Sequence, residues 1–304
     1  MNRAAIAGIT PEAQAAWVAA RVGLWPDMHV FAFDHRLQME EIPGADPERI
    51  AAFKALALRA AMQVADGRPG YGILCDHRLG ADALAKAKGQ GLWIGRPVEW
   101  PGSRPLRLES ELRPDLGGLA DWPKRHVVKV LCFYHPDDDA AMKADQEATV
   151  TRLFHAARAQ GLEFLLEVIP SKAGPVDDGT TAAIIQRFYD LGIWPDWWKL
   201  EPMQSEAAWA QTCAAITRND PQNRGIVVLG LGEAEDRLAA SFALAARFPL
   251  VKGFAVGRTI FGDAARHWLS GAITDQEAIA EMSGKYRDLC EVWNSSRAQN
   301  GVVK

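Results

Sequence analysis

Two lysines interrupt otherwise apolar runs: Lys129 in HVVKVLCFY and Lys199 in DWWKLE. A lysine desolvated near another positive charge loses basicity. Its neutral amine attacks a carbonyl to give a protonated imine, which is an electron sink for carbon–carbon cleavage. Lys199 is the expected nucleophile, with Trp197 and Glu201 on its face by two-residue periodicity. Lys129 shares a face with Val127, Leu131 and Phe133. There it lowers the basicity of Lys199 and binds a substrate oxygen, forms a buried Lys–Glu pair, or snorkels to the rim. Glu167 in FLLEVIP lies with Leu165 and Ile169 and suits proton transfer during carbinolamine formation and imine hydrolysis. Its alternative is as the ionic partner of either lysine.

Asp34 and Asp76 open two Asp-His-Arg triplets, at 34–36 and 76–78. Asp34 suits relay of a hydroxyl proton. Asp76, His77, Arg78, His35 and Gln38 suit contacts to a polyhydroxylated chain, while the histidines equally suit helix caps and the arginines rim salt bridges. GLG at 230–232 and VGRTIFG at 256–262 suggest an anion site, where Gly230, Gly232 and Gly257 would admit backbone N–H groups and Arg258 would add charge-assisted bonds. Turn glycines beside a surface arginine are the plainer reading. Neither a phosphate-binding GxxxxGKS/T loop nor a dinucleotide GxGxxG fingerprint is present.

These residues sit at the ends of short β-rich runs that alternate with longer helical segments. The runs are 29–34, 71–76, 91–95, 126–134, 163–169, 196–201, 225–230 and 251–257. Eight such units predict a single (β/α)8 TIM barrel with its core at about 29–270, because closure removes exposed sheet edges. A leading helix from Thr10-Pro11 to about Leu24, a helix from Asp46-Pro47 to about Val64, and a C-terminal helix capped by Thr274 and Glu277 frame it. The long connection 97–123 either crosses the active face or is a surface excursion.

The chain has 304 residues, 48% hydrophobic, with 11 tryptophans and a formal net charge of −4. That composition supports a sizeable core, and without a basic stripe it argues against a nucleic-acid partner. Apolar stretches too short for a membrane span predict a cytoplasmic protein. Cys75, Cys132, Cys213 and Cys290 form no CxxC pair and read as packing thiols or as one reactive residue.

The segments FAFDHRLQ, CDHRLG, VVKVLCFYHPD, LLEVIPS, WWKLEPM and VGRTIFG resemble the aldolase-like domain of bacterial inositol-catabolism proteins over residues 20–295. More distantly, the chain is similar to class I tagatose-bisphosphate and sulfosugar-phosphate aldolases. The inositol-catabolism resemblance implies cleavage of 2-deoxy-5-keto-gluconate 6-phosphate to dihydroxyacetone phosphate and malonate semialdehyde, and the more distant one carries the residue roles. It assigns the imine to Lys199, acid chemistry to Asp34 and Glu167, a supporting charge to Lys129, and the phosphate side to Arg258. In the family the domain is often fused behind a sugar-kinase-like portion. None is present here, which implies that a separate protein phosphorylates the substrate.

The expectation is a metal-independent class I aldolase that needs no cofactor and acts on a phosphorylated keto-sugar acid; a homo-oligomer is compatible with the sequence. A divalent-metal aldolase using some of His35, Asp76, His77 and His135, or a non-catalytic sugar-phosphate-binding regulator, are the alternatives.

Overall fold

The alternation of β-rich and helical segments resolves, in a computed structural model, into eight parallel strands that close in sequence order from β1 to β8. Residues 10–21, 27–232 and 234–300 are described. The strands are β1 Met28–Ala32, β2 Tyr71–Leu74, β3 Trp93–Pro97, β4 His126–Cys132, β5 Glu163–Val168, β6 Trp197–Leu200, β7 Gly225–Leu229 and β8 Val251–Val256. The helices are α1 Pro11–Ala19, α2 Leu37–Glu40, α3 Pro47–Ala65, α4 Ala81–Ala87, α5 Ala140–Ala159, α6 Thr180–Asp190, α7 Glu206–Asn219, α8 Glu235–Ala245, α9 Arg258–Leu269 and α10 Asp275–Gln299. This is a (β/α)8 TIM barrel with a leading helix and a C-terminal helical extension.

Local chemistry sets the helix starts. The side chains of Thr10, Asp46, Asp139 and Ser205 accept backbone N–H bonds at the starts of α1, α3, α5 and α7, and Thr274 with Glu277 forms the expected capping box on α10. Among the boundaries that depart from the sequence expectation, two have a local cause. The leading helix stops at Ala19, where the chain turns so that Arg21 enters a buried ion pair; residues 22–24 of the expected helix lie outside the described residues. The third strand begins at Trp93 rather than residue 91, because Gly91 has φ +75°, outside the range of a strand.

The chain divides into two compact units. One takes in Met1–Leu24, Val98–Trp198 and Ser205–Gly225, and the other Trp25–Pro97, Lys199–Gln204 and Ile226–Lys304. In the first, β4 and β5 pair in parallel with Lys129 opposite Leu165 and Leu131 opposite Glu167. Phe164 meets Phe154 of α5, and Cys132 contacts Gln146 of α5. The even-numbered residues therefore face the helices, and Lys129 and Glu167 face inward. In the second, β1 lies between β2 and β8. Its outward residues His29 and Phe31 pack on α10 through Asn294 and Tyr286.

The connection 97–123 begins as a hairpin within the first unit. Glu99 bridges Leu108, and Trp100 and Glu109 bond across to Arg107 and Val98. Arg104 ties it to the segment after β4, through the Phe133 carbonyl (3.2 Å) and the Asp138 carboxylate.

Candidate active site

Glu99 continues the alternation of Trp93, Gly95 and Pro97 two residues past β3. The Val98 N–H bonds the Lys129 carbonyl at 3.0 Å, which extends the sheet that far. The Glu99 carboxylate accepts from the Lys129 ammonium at 3.0 Å and from the Leu131 N–H at 3.1 Å. On its other side the same ammonium lies 2.8 Å from Glu167. All three side chains are 4% exposed. The first unit thus holds one buried cation between two buried carboxylates, a cluster whose formal charge is −1 when all three are ionised. Such a cluster survives burial only because each charge is matched by an opposite one within bonding distance.

A second network closes the opposite end of these strands. Asp196, immediately before β6, is fully buried. It accepts from the indole N–H of Trp17 (2.7 Å), the guanidinium of Arg21 (2.8 Å) and the backbone N–H of Phe164 (2.7 Å), and pairs with Arg158 at 2.7 Å. Burial pushes its carboxyl up, but the charges of Arg158 and Arg21 outweigh that and hold it below its ordinary range. Arg21 also pairs with Asp220. Glu163, at the start of β5, takes the Trp197 indole N–H (2.9 Å) and Arg224 (2.7 Å). Burial, then the charge of Asp196, raises its carboxyl.

Lys199 stands in β6 and is 6% exposed. Trp198 reaches the Tyr189 hydroxyl on α6, which assigns Trp198 to the helix side and Lys199, with Trp197, to the inner face. Glu201 follows the end of β6 and is half-buried.

In the second unit, Asp34 lies two residues past β1, 5% exposed, with its carboxylate 3.8 Å from the Nδ1 of His35. The His35 ring meets Phe261 edge-on at 5.2 Å. Asp76, just past β2, is engaged within the fold: it takes the ammonium of Lys54 and caps the Leu79 N–H at 2.8 Å. Lys54 is fully buried and also donates to the His35 carbonyl (3.0 Å), so one ammonium ties together the two Asp-His-Arg segments. His77 and Arg78 are exposed, and Arg78 pairs with Glu40 across α2 at 3.0 Å.

The glycines after β7 and β8 have distinct reasons. A side chain at Gly257 would collide with the Ala32 carbonyl and the His35 ring, so β8 can pass β1 only without one. Gly230 packs against Val256. Gly232 has φ +75° and lies under the Arg258 guanidinium, which donates to the Leu231 carbonyl at 2.6 Å. Gln38, Gly232 and Arg258 line one cavity of about 690 Å3 together with Thr259, Arg266 and Lys285. Three residues assigned to substrate from sequence therefore share one pocket.

Of the buried ionic residues that the sequence reading passed over, two bear on the segments described above. Glu99 was hidden by Pro97 and Pro101, which end a strand pattern, although the alternation Trp93, Gly95, Pro97, Glu99 was there to follow. Lys54 was hidden inside α3, although it occupies the apolar stripe of Ile50, Phe53 and Ala57. Burial raises the thiols of all four cysteines, Cys213 to about 12, as packing residues require. His135, named above as an alternative metal ligand, has its ring nitrogen 2.7 Å from the Pro175 carbonyl. Among the described residues, no group of three or more His, Cys, Asp and Glu side chains is placed to hold a metal ion, and no helix is long and apolar enough to cross a membrane.

Comparison with known proteins gives the family and the fold. The profile of a bacterial family, described as "Uncharacterized protein conserved in bacteria (DUF2090)", matches residues 12–297. The chain belongs to that family. No curated protein matches its sequence. Among solved structures, this family member is similar to Cgl0159 from Corynebacterium glutamicum, at 18% identity and TM-score 0.53, over 92% of this chain and 98% of that one. It is also similar to a fructose-bisphosphate aldolase from Slackia heliotrinireducens, at 17% identity and TM-score 0.55, over 92% and 93%. At these identities the likeness is one of fold.

Proposed function

We propose that the protein is a class I, metal-independent aldolase acting on a phosphorylated keto-sugar acid. One observation carries the reading: three strands consecutive in the barrel order, β4, β5 and β6, each bury an ionisable side chain on their inward face, Lys129, Glu167 and Lys199. Buried charge is costly, and on three successive strands it is the pattern expected of reactive machinery. The fructose-bisphosphate aldolase of similar fold supports the reaction class by analogy.

In this reading the neutral amine of Lys199 adds to the substrate ketone. Glu167 protonates the carbinolamine hydroxyl, and water leaves to give the iminium. Asp34 takes the proton of the hydroxyl β to the iminium carbon, the carbon–carbon bond breaks, and its electron pair passes to the iminium nitrogen as an enamine. The aldehyde departs, the enamine carbon is protonated, and water hydrolyses the imine to release dihydroxyacetone phosphate. Lys129 supplies a fixed positive charge to substrate oxygen. The cavity at Gln38, Gly232 and Arg258 takes the phosphate, with His35, His77 and Glu201 along the rest of the chain. Asp76 and Arg78, engaged by Lys54 and Glu40, hold the loop after β2. The substrate of this reading is 2-deoxy-5-keto-gluconate 6-phosphate, and the aldehyde is malonate semialdehyde.

Borohydride added with dihydroxyacetone phosphate should leave a reduced adduct that maps to Lys199 by peptide mass. Lys199→Ala should abolish both the adduct and triose phosphate release from the keto acid, a loss of at least about 10³-fold. Release that persists in Lys199→Ala, or that chelation stops and one added metal restores, would overturn the reading.

A further inference from the structure

Glu99 has a place in the site that no sequence motif marks. It is 3% exposed and held at both ends: the hairpin bridge to Leu108 fixes its backbone, and the Lys129 ammonium and Leu131 N–H fix its carboxylate. Glu99 therefore takes up charge of the Lys129 ammonium that would otherwise fall wholly on Glu167, 2.8 Å away.

We propose that Glu99 is a positioning residue that anchors Lys129 and offsets its charge, so that Glu167 retains enough proton affinity to gain and lose a proton during turnover. The inference rests on the aldolase reading above. The charges facing Glu167 from this side are Lys129 on β4 and Glu99 beyond β3. On its own strand, Glu163 lies four residues back, roughly 13 Å along the strand, and is held by Arg224. The direction of the effect follows from Coulomb's law alone. Removing a buried negative charge lowers the proton affinity of every neighbouring group, so Glu167 would become a weaker base, as would Lys129.

The test uses the full chain and dihydroxyacetone phosphate, reading two things: borohydride trapping at Lys199, and exchange of the ketone's C–H protons with D2O by NMR from pH 5 to 9. Wild type should do both. Glu99→Gln should still trap at Lys199 while exchanging about 10–100-fold more slowly at its optimum, with the acid limb of the profile moved down by about one pH unit or more. Glu99→Asp, which keeps the charge at a shorter reach, should restore most of the acid limb and only part of the rate. A merely structural role would lower the amount of active protein without moving that limb. If Glu99→Gln does not fold, as judged by circular dichroism, Glu99→Met, which removes the charge at similar volume, carries the test, and its acid limb must likewise move down by about one pH unit or more. Trapping in wild type together with an unmoved acid limb in Glu99→Gln overturns the inference and leaves the aldolase reading intact. Absence of trapping in wild type overturns the aldolase reading, and this inference falls with it.

Discussion

Lys129 shows how far a single residue can be read. Its place in an apolar strand marked it out, and one of the readings open to it was a buried Lys–Glu pair. The structure adds that the ammonium serves two carboxylates. Glu167 was visible because its strand is visible. Glu99 was not, because its position depends on a hairpin whose pairing is set by tertiary contacts rather than by local pattern. Asp196 was passed over for a related reason: its meaning comes from Trp17, Arg21 and Arg158, distant in sequence. Asp196→Asn should destabilise the fold by about 3–5 kcal/mol at neutral pH, since it leaves the buried Arg158 without its carboxylate and Arg21 with Asp220 alone. The folded carboxyl sits below the ordinary 3.8, so its contribution is present above that value and is lost as the pH falls through the lower folded one. Urea midpoints of wild type and Asp196→Asn should differ by a constant amount from about pH 8 to pH 5 and converge below about pH 4. A gap that widened in acid would contradict this.

At the scale of elements, all eight strands were legible from β-rich runs bounded by turn residues, and the caps of α3 and α10 from Asp46, Thr274 and Glu277. Strand ends were less so. Asp34, Asp76 and Glu201 lie just beyond β1, β2 and β6 rather than within them, because sheet pairing stops where neighbouring strands stop, which the sequence of one strand does not record. Thr274→Ala should cost about 1 kcal/mol by removing the capping hydroxyl, read as a fall in urea midpoint at constant slope. Two glycines should respond in opposite directions. Gly257→Ala drives a methyl into the Ala32 carbonyl and should cost about 1–3 kcal/mol. Gly284→Ala, within α10 and with nothing within 4 Å of the new methyl, should stabilise by about 1 kcal/mol. Thermal melts of the pair would check both signs.

At the scale of the whole molecule, the count of strand–helix units decided the fold, and the tryptophans show where its interior is. Trp93, Trp122, Trp197, Trp198, Trp209 and Trp293 are buried, whereas Trp100 is 45% exposed. Folded protein should therefore emit in the blue range typical of apolar surroundings and shift to the red on unfolding. Trp100→Phe should remove most of the component that acrylamide quenches; quenching left unchanged would show that another indole is the accessible one. The network around Asp196 has a consequence for the ends of the chain. Trp17 and Arg21, from α1 and the turn after it, supply two of the donors to a carboxylate buried beneath β5 and β6. Trimming the protein back to its first strand would leave that anion half-clothed in the core, so a protease that clips α1 would act as a slow fuse on the lifetime of the fold.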